Sequence, residues 1–292
     1  MKVHSMFTRR GAGALALGAS LALSLVAATT SASYADNDPQ LTQMQKQGFA
    51  RIAIANEPPW TKVSSDGKVS GAAPDLARAV MKKLGVKDIV ASISEYGAMI
   101  PGLQAHRFDM VAAGLFMKPK RCAAVLYSQP TLCDAESFMV KKGNPMGLES
   151  YADIAAKHAK VGVVAGGTEE RLAISAGVPR SDVIVAPDGL SGVKMLQDGR
   201  INVFALPVLS ISSLLKKAND PNLVMYAPVK KTPIYCSGVA FPKQDHALRD
   251  AFDKVLAQMK ADGEFAKIIE PYGYSAAAAM QTNRTKLCGG PN

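Results

Sequence analysis

From residue 49 onward, short apolar runs alternate with longer stretches in which apolar positions recur every three or four residues. The runs "RIAIA" (51–55), "IVASIS" (89–94), "FDMVAAGLF" (108–116), "SFMVKKG" (137–143), "KVGVVAG" (160–166), "INVFALP" (201–207), "LVMYA" (223–227) and "SGVAF" (237–241) predict strands. Between them, "APDLARAVMKKLG" (73–85) sets Leu76, Ala79, Val80 and Leu84 on one helical face and stops at Gly85. "YGAMIPGLQAHR", "TEERLAISAG", "GLSGVKMLQDG" and "VLSISSLLKKA" predict further helices, and "ALRDAFDKVLAQMKADGEFAKIIEPYG" predicts one long helix. The strand–helix rhythm predicts an α/β fold built on parallel sheets. There are too many strands for one small sheet, so two lobes are expected. No low-complexity spacer separates them, so the chain is expected to cross between lobes on short strands.

The first 35 residues break the rhythm. A basic start with Arg9-Arg10, an apolar run without period and a small-x-small ending at Ser33-Tyr34-Ala35 read as a secretory signal peptide over 1–35. Export to the periplasm is expected, by the Sec route or, given the paired arginines, the twin-arginine one. No cysteine lies near the cleavage point to carry a lipid, and no later apolar run reaches the ~20 residues of a membrane span. With 48% hydrophobic and 20% charged residues the rest can bury a core. The signal holds Lys2, Arg9 and Arg10 and no acid, so the net charge of +10 falls to +7 once it is removed. That surplus is scattered over Lys pairs without interleaved aromatics, which argues against nucleic-acid binding. Four cysteines in an exported chain suggest disulfides. Nearness in sequence favours Cys122–Cys133 and Cys236–Cys288.

Five stretches, in order, resemble the periplasmic solute-binding proteins of the polar amino-acid type. They are "GAAPDLARAVMKKLG", "MIPGLQAHRFDMVAAGLFMKPKRCAAVLYSQP", "KVGVVAGGTEE", "GLSGVKMLQDGRINVFALP" and "GEFAKIIEPYG". The resemblance implies the two-lobe, type II binding-protein fold, with the ligand in the interlobe cleft and two short hinge crossings near Ser137–Val140 and Ile234–Ser237. Lobe one would comprise 36–137 plus 234–292, and lobe two 138–233. The resemblance further implies a monomer that delivers a small molecule to the membrane subunits of an ABC transporter, without a cofactor.

Arg121 matches the family's ligand-gripping arginine, whose planar fork suits a carboxylate. Gly167 and Thr168 match the helix start whose free N–H groups face the same anion. Two positions depart from the family pattern. Where members that bind α-amino acids carry an ammonium-binding Asp, this chain has Pro207; where they carry a Thr before the arginine, it has Lys118. Glu57 and Trp60, in "IANEPPW" (54–60), follow the first strand on a proline turn; Tyr96 ends the second strand and Phe116 the third. Strand ends are where α/β lobes bind ligands. Three rings and a carboxylate make a cage for a delocalised cation. Each ring alone reads as readily as core. If the rings line an open cleft, truncating them should leave the ligand-free fold stable. Glu57 favours a cation with N–H donors over a quaternary one. The set Glu57, Trp60, Tyr96, Phe116, Arg121 resembles that of rhizobial-type proteins that bind the zwitterions ectoine and hydroxyectoine. Rival readings are an opine, arginine or betaine binder, a periplasmic dehydratase on the same fold, and a sensor domain. The sequence shows no second titratable group beside Glu57, which disfavours the enzyme.

Overall fold

The computed structural model describes residues 38–292; the signal-peptide reading of 1–35 lies outside them. Two five-stranded mixed sheets organise these residues. In the first, Phe49–Ile54 lies between Asp88–Ile93 and the central Met110–Val111, parallel to both; Ala240–Phe241 then pairs antiparallel with both Met110–Val111 and Leu126–Tyr127. In the second, Val183–Ala186, Val161–Val164 and Val203–Pro207 run parallel, and Glu136–Lys141 and Leu223–Tyr226 complete it through antiparallel pairs. Four strands of each sheet therefore run in the same direction, and one in each, Ala240–Phe241 and Glu136–Lys141, runs against them. These two reversed strands each follow a passage between the sheets, so the chain enters from the opposite end.

Burial follows position in the sheet. Val203–Pro207, hemmed in on both edges, is buried at all of its residues, as a strand covered on both faces must be. Asp88–Ile93 is an edge strand and leaves Val90 and Ile93 exposed. Ala72–Lys83 buries Leu76, Ala77, Val80 and Met81 on the first sheet. Its first N–H groups, which no helical carbonyl can reach, donate to the carbonyls of Pro59 and Trp60. This anchors the proline turn to the start of the helix.

The chain passes between the sheets twice. It leaves through Leu132–Asp134 into Glu136–Lys141 and returns through Tyr235–Ser237, and these two passages pair antiparallel with Cys133 opposite Cys236. Those two cysteines are bonded to each other, and Cys122 is bonded to Cys288. This overturns the pairing of Cys122 with Cys133 and of Cys236 with Cys288. Sequence nearness misleads here because register, and not chain separation, brings Cys133 against Cys236. The C-terminal helix Arg284–Cys288 packs on Pro119–Cys122.

Three local expectations also change. The long C-terminal helix is two, His246–Ala261 and Glu264–Ile269, because Gly263 turns left-handed (φ 81°) between them. The third strand is only Met110–Val111, with Phe116 returning through an isolated bridge to Ser237, because Gly114 turns left-handed (φ 77°) in between. Tyr96 does not end a strand but begins the helix Tyr96–Gln104.

Candidate functional site

A cavity lies between the carboxyl ends of the parallel strands of the two sheets. It is lined by Glu57, Trp60, Tyr96, Gly114, Phe116 and Arg121 from the first lobe, and by Gly167, Thr168, Glu169 and Pro207 from the second. All eight residues singled out from the sequence are thus brought to one space. Each follows from its element. Glu57 and Trp60 leave the end of Phe49–Ile54 on a turn closed by Thr61, whose N–H donates to the Glu57 carbonyl (3.0 Å) and whose Oγ1 accepts from the Glu57 N–H (3.1 Å). Gly167 and Thr168 follow Val161–Val164, and Pro207 ends Val203–Pro207.

Trp60 and Phe116 meet edge to face, centroids 5.4 Å apart, while Tyr274 lies edge-on to Trp60 at 4.8 Å and Tyr235 stacks on Phe116 at 5.5 Å. Trp60 is 1% exposed and Phe116 5%. The alternatives of core and cage are therefore not exclusive for these rings, which close the core on one face and the cavity on the other. The expectation that they stand in an open cleft is corrected accordingly. Gly114 makes this packing possible, since a Cβ there would lie 2.3 Å from the Trp60 ring. Tyr96 donates from its hydroxyl, shared between Glu57 Oε2 (3.2 Å) and the Ala113 carbonyl (3.0 Å).

Arg121 is 5% exposed, so it is not a surface arginine. Its guanidinium donates to the Phe116 carbonyl (3.0 Å) and, across the cleft, to the Gly166 carbonyl (3.1 Å). Gly167 is the N-cap of the helix Thr168–Ser175, which places Thr168 in the first turn. The buried Thr168 Oγ1 has no hydrogen-bond partner among the described residues. Thr168 thus offers a free hydroxyl at the helix start, as an anion site can use, whereas the Gly167 N–H expected to be free there donates to the Val164 carbonyl (3.1 Å). Lys118 is the N-cap of the short helix that carries Arg121, with its ammonium 4.0 Å from the Tyr235 ring centroid.

The site is rich in buried acid. Burial pushes the Glu57 carboxyl up to about 7; hydrogen bonds from Ser210 and Tyr96 pull it back, while Glu169 and Asp134 add to the rise. Burial raises Glu169 and Glu136 as well, Asp134 reaches about 6, and Lys118 falls to about 8. The expectation of no second titratable group near Glu57 is therefore incorrect: Tyr96, Glu169 and Asp134 surround it, brought from three other parts of the chain.

Sequence reasoning missed Gly114, Glu169, Ser210, Tyr235 and Tyr274. Glu169 adjoins Thr168 in "GGTEE" and could have been found from that. Ser210 carries no sequence signal. It is fully buried in the first turn of Val208–Ala218, where its Oγ accepts from Trp60 Nε1 (3.1 Å) and donates to Glu57 Oε1 (2.5 Å).

With this geometry in view, comparison with known proteins gives a consistent picture. Residues 50–275 match the bacterial extracellular solute-binding proteins, family 3. The chain is 35% identical to the probable amino-acid ABC transporter periplasmic-binding protein y4tE of Sinorhizobium fredii (strain NBRC 101917 / NGR234), covering 85% of each. It is 26% identical to the L-cystine-binding protein TcyJ of Escherichia coli (strain K12), over 89% of this chain and 95% of that one. Among solved structures, EhuB in complex with hydroxyectoine superposes with a TM-score of 0.85 at 68% identity, covering 86% of this chain and 99% of EhuB.

Proposed function

Because the chain belongs to the bacterial extracellular solute-binding proteins, family 3, we propose that it is the substrate-binding protein of an ABC importer and that its ligand is ectoine or hydroxyectoine. The carrying observation is the make-up of the cavity. The rings of Trp60, Tyr96 and Phe116 with the Glu57 carboxylate suit a flat, delocalised cation bearing N–H groups. Arg121 and the start of the helix at Gly167 and Thr168 suit a carboxylate gripped from both lobes. Pro207 leaves no side-chain acceptor where an α-ammonium group would need one. Ectoine joins an amidinium to a carboxylate within one small ring and meets both requirements. The 68%-identical relative holding hydroxyectoine supports the same reading.

In this reading the lobes are 36–137 plus 234–292 and 138–233, they close as a hinge, and the protein acts as a periplasmic monomer released from its signal peptide. It is not an enzyme: Glu57 and its neighbours hold a cation in place and transfer no proton to it. The relatives named as binding proteins support this, although an ancestral amino-acid-binding precursor of cyclohexadienyl dehydratase has a related structure (26% identity, TM-score 0.69). A thermal-shift panel of ectoine, hydroxyectoine, glycine betaine, proline and arginine tests the ligand. A ligand at about 100 times its Kd adds about 2.7 kcal/mol, so ectoine or hydroxyectoine should raise the Tm clearly. A shift with arginine and none with either ectoine would overturn the assignment. Mass spectrometry of ligand after prolonged incubation should return it unchanged.

A further inference from the structure

The hydrogen bonds around Ser210 have a direction that the residue types impose. An indole N–H can only donate. Trp60 Nε1 donates to Ser210 Oγ at 3.1 Å, so this hydroxyl is an acceptor towards Trp60. Its one proton is then left for Glu57 Oε1, 2.5 Å away. Ser210 is fully buried, so water does not compete for either bond. Glu57 and Trp60 belong to the proline turn of the first lobe, whereas Ser210 belongs to the helix Val208–Ala218 packed on the second sheet. The two bonds therefore cross the cleft.

We propose that Ser210 is the positioning residue of the site. The Trp60 N–H takes one of the two acceptor sites of the Ser210 hydroxyl and so biases its proton towards Glu57, which in this seating of the lobes is presented as a carboxylate to the ligand's cation. This rests on the cation-binding role of Glu57 proposed above and extends it to a residue with no place in the cage. A phenylalanine at position 60 would keep a ring over the ligand but free the hydroxyl to turn and accept a proton from a neutral Glu57. A tryptophan takes one of the two acceptor sites of the hydroxyl and so disfavours that arrangement. The other groups facing Glu57 are Tyr96 from its helix, Glu169 from the helix Thr168–Ser175, Asp134 from the passage between sheets and Tyr274 near the C-terminus, with Arg121 on the same cavity. Of the acids, Glu169 and Asp134 oppose ionisation of Glu57, so it depends on its two hydroxyl donors.

The test compares Ser210→Ala, Ser210→Thr and Trp60→Phe with the unaltered protein, reading hydroxyectoine affinity from about pH 5 to about pH 9 and Glu57 ionisation in the ligand-free protein by carbon NMR of labelled glutamate. Ser210→Ala should move the Glu57 midpoint up by about one pH unit and weaken binding about tenfold at neutral pH, converging with the unaltered protein at high pH. Ser210→Thr should restore both. Trp60→Phe should shift the midpoint in the Ser210 background and not in the Ser210→Ala background. An unmoved Glu57 midpoint in Ser210→Ala overturns the proposal, as does a uniform loss of affinity at every pH. Because the NMR titration needs no ligand, a shifted midpoint in a protein that does not bind hydroxyectoine supports the relay and counts against the ligand assignment alone.

Discussion

At the scale of single residues, Arg121 shows why charge is not enough. Its fork reaches carbonyls of both lobes from a buried position. Arg121→Lys keeps the charge but not the planar donors, and at about 1.5–3 kcal/mol for a lost hydrogen bond to a charged group, affinity should fall tenfold or more by calorimetry. Trp60→Ala should lower both affinity and ligand-free stability. A ring 1% exposed and packed on Phe116 and Tyr274 is core, and such truncations cost about 3–5 kcal/mol in denaturant unfolding. Glu57 carries a pH signature. Its carboxyl is raised from 4.5 to about 7 in the fold, so the folded state binds more protons than the unfolded one in that window. Stability contributed by this site is therefore greatest below about pH 4.5, falls as pH rises to about 7 and is flat above. Glu57→Gln should raise the ligand-free Tm at about pH 8 while weakening ectoine binding at least tenfold, because the counter-charge is gone. An unchanged Tm at pH 8 together with intact binding would remove Glu57 from the cavity's electrostatics.

At the scale of elements, two turns meet where the lobes touch. Gly166 follows Val161–Val164 and Gly97 lies in the first turn of Tyr96–Gln104. A Cβ on Gly166 would lie 2.3 Å from the Gly97 nitrogen, and Gly166 is left-handed (φ 68°). A Cβ on Gly97 would meet the Gly166 Cα at an ordinary 3.6 Å. Gly166→Ala should therefore hold the lobes apart. With about 1–2 kcal/mol of left-handed strain added to the clash, ectoine affinity should drop at least tenfold. Gly97→Ala should bind nearly as well as the unaltered protein. Equal affinity in the two variants, measured by calorimetry, would contradict this account of closure.

Across the whole molecule, the two disulfides nest, the Cys122–Cys288 link spanning 166 residues and enclosing the Cys133–Cys236 link, which spans 103. One joins the two passages between the sheets. The other ties down the C-terminal segment, where Asn292 also accepts from the Tyr127 N–H (2.7 Å) and donates to the Cys122 carbonyl (2.7 Å). Closing loops of this length removes unfolded-state entropy worth roughly 4–5 kcal/mol each in the chain-entropy model. Reduction should lower the unfolding free energy by several kcal/mol, less than the sum because the loops share residues. A peptide map without reductant should recover Cys133 linked to Cys236; a fragment linking Cys122 to Cys133 would refute the observed pairing.

Local patterning decided much on its own. Strand and helix periodicities, the stop at Gly85, the apolar run of Val203–Pro207 and the order of five motifs specified two α/β lobes, because burial on one face or two leaves a direct imprint on residue type. Glu57 and Pro207 were legible from the ends of strands and Arg121, Gly167 and Thr168 from their motifs, whereas Tyr96 and Phe116 reach the cavity from a helix start and an isolated bridge and not from the strand ends expected of them. What could not be read were contacts between segments distant in the chain. Ser210 sits 150 residues from Trp60, and nothing in "VLSISS" marks it. Cys133 meets Cys236 through strand register, and Glu169, Tyr235 and Tyr274 reach the site through packing. Gly114 and Gly263 break elements whose hydrophobic pattern runs straight through them. Such features depend on how the two lobes seat against each other, and side-chain periodicity describes each element's own burial but not the element it will meet.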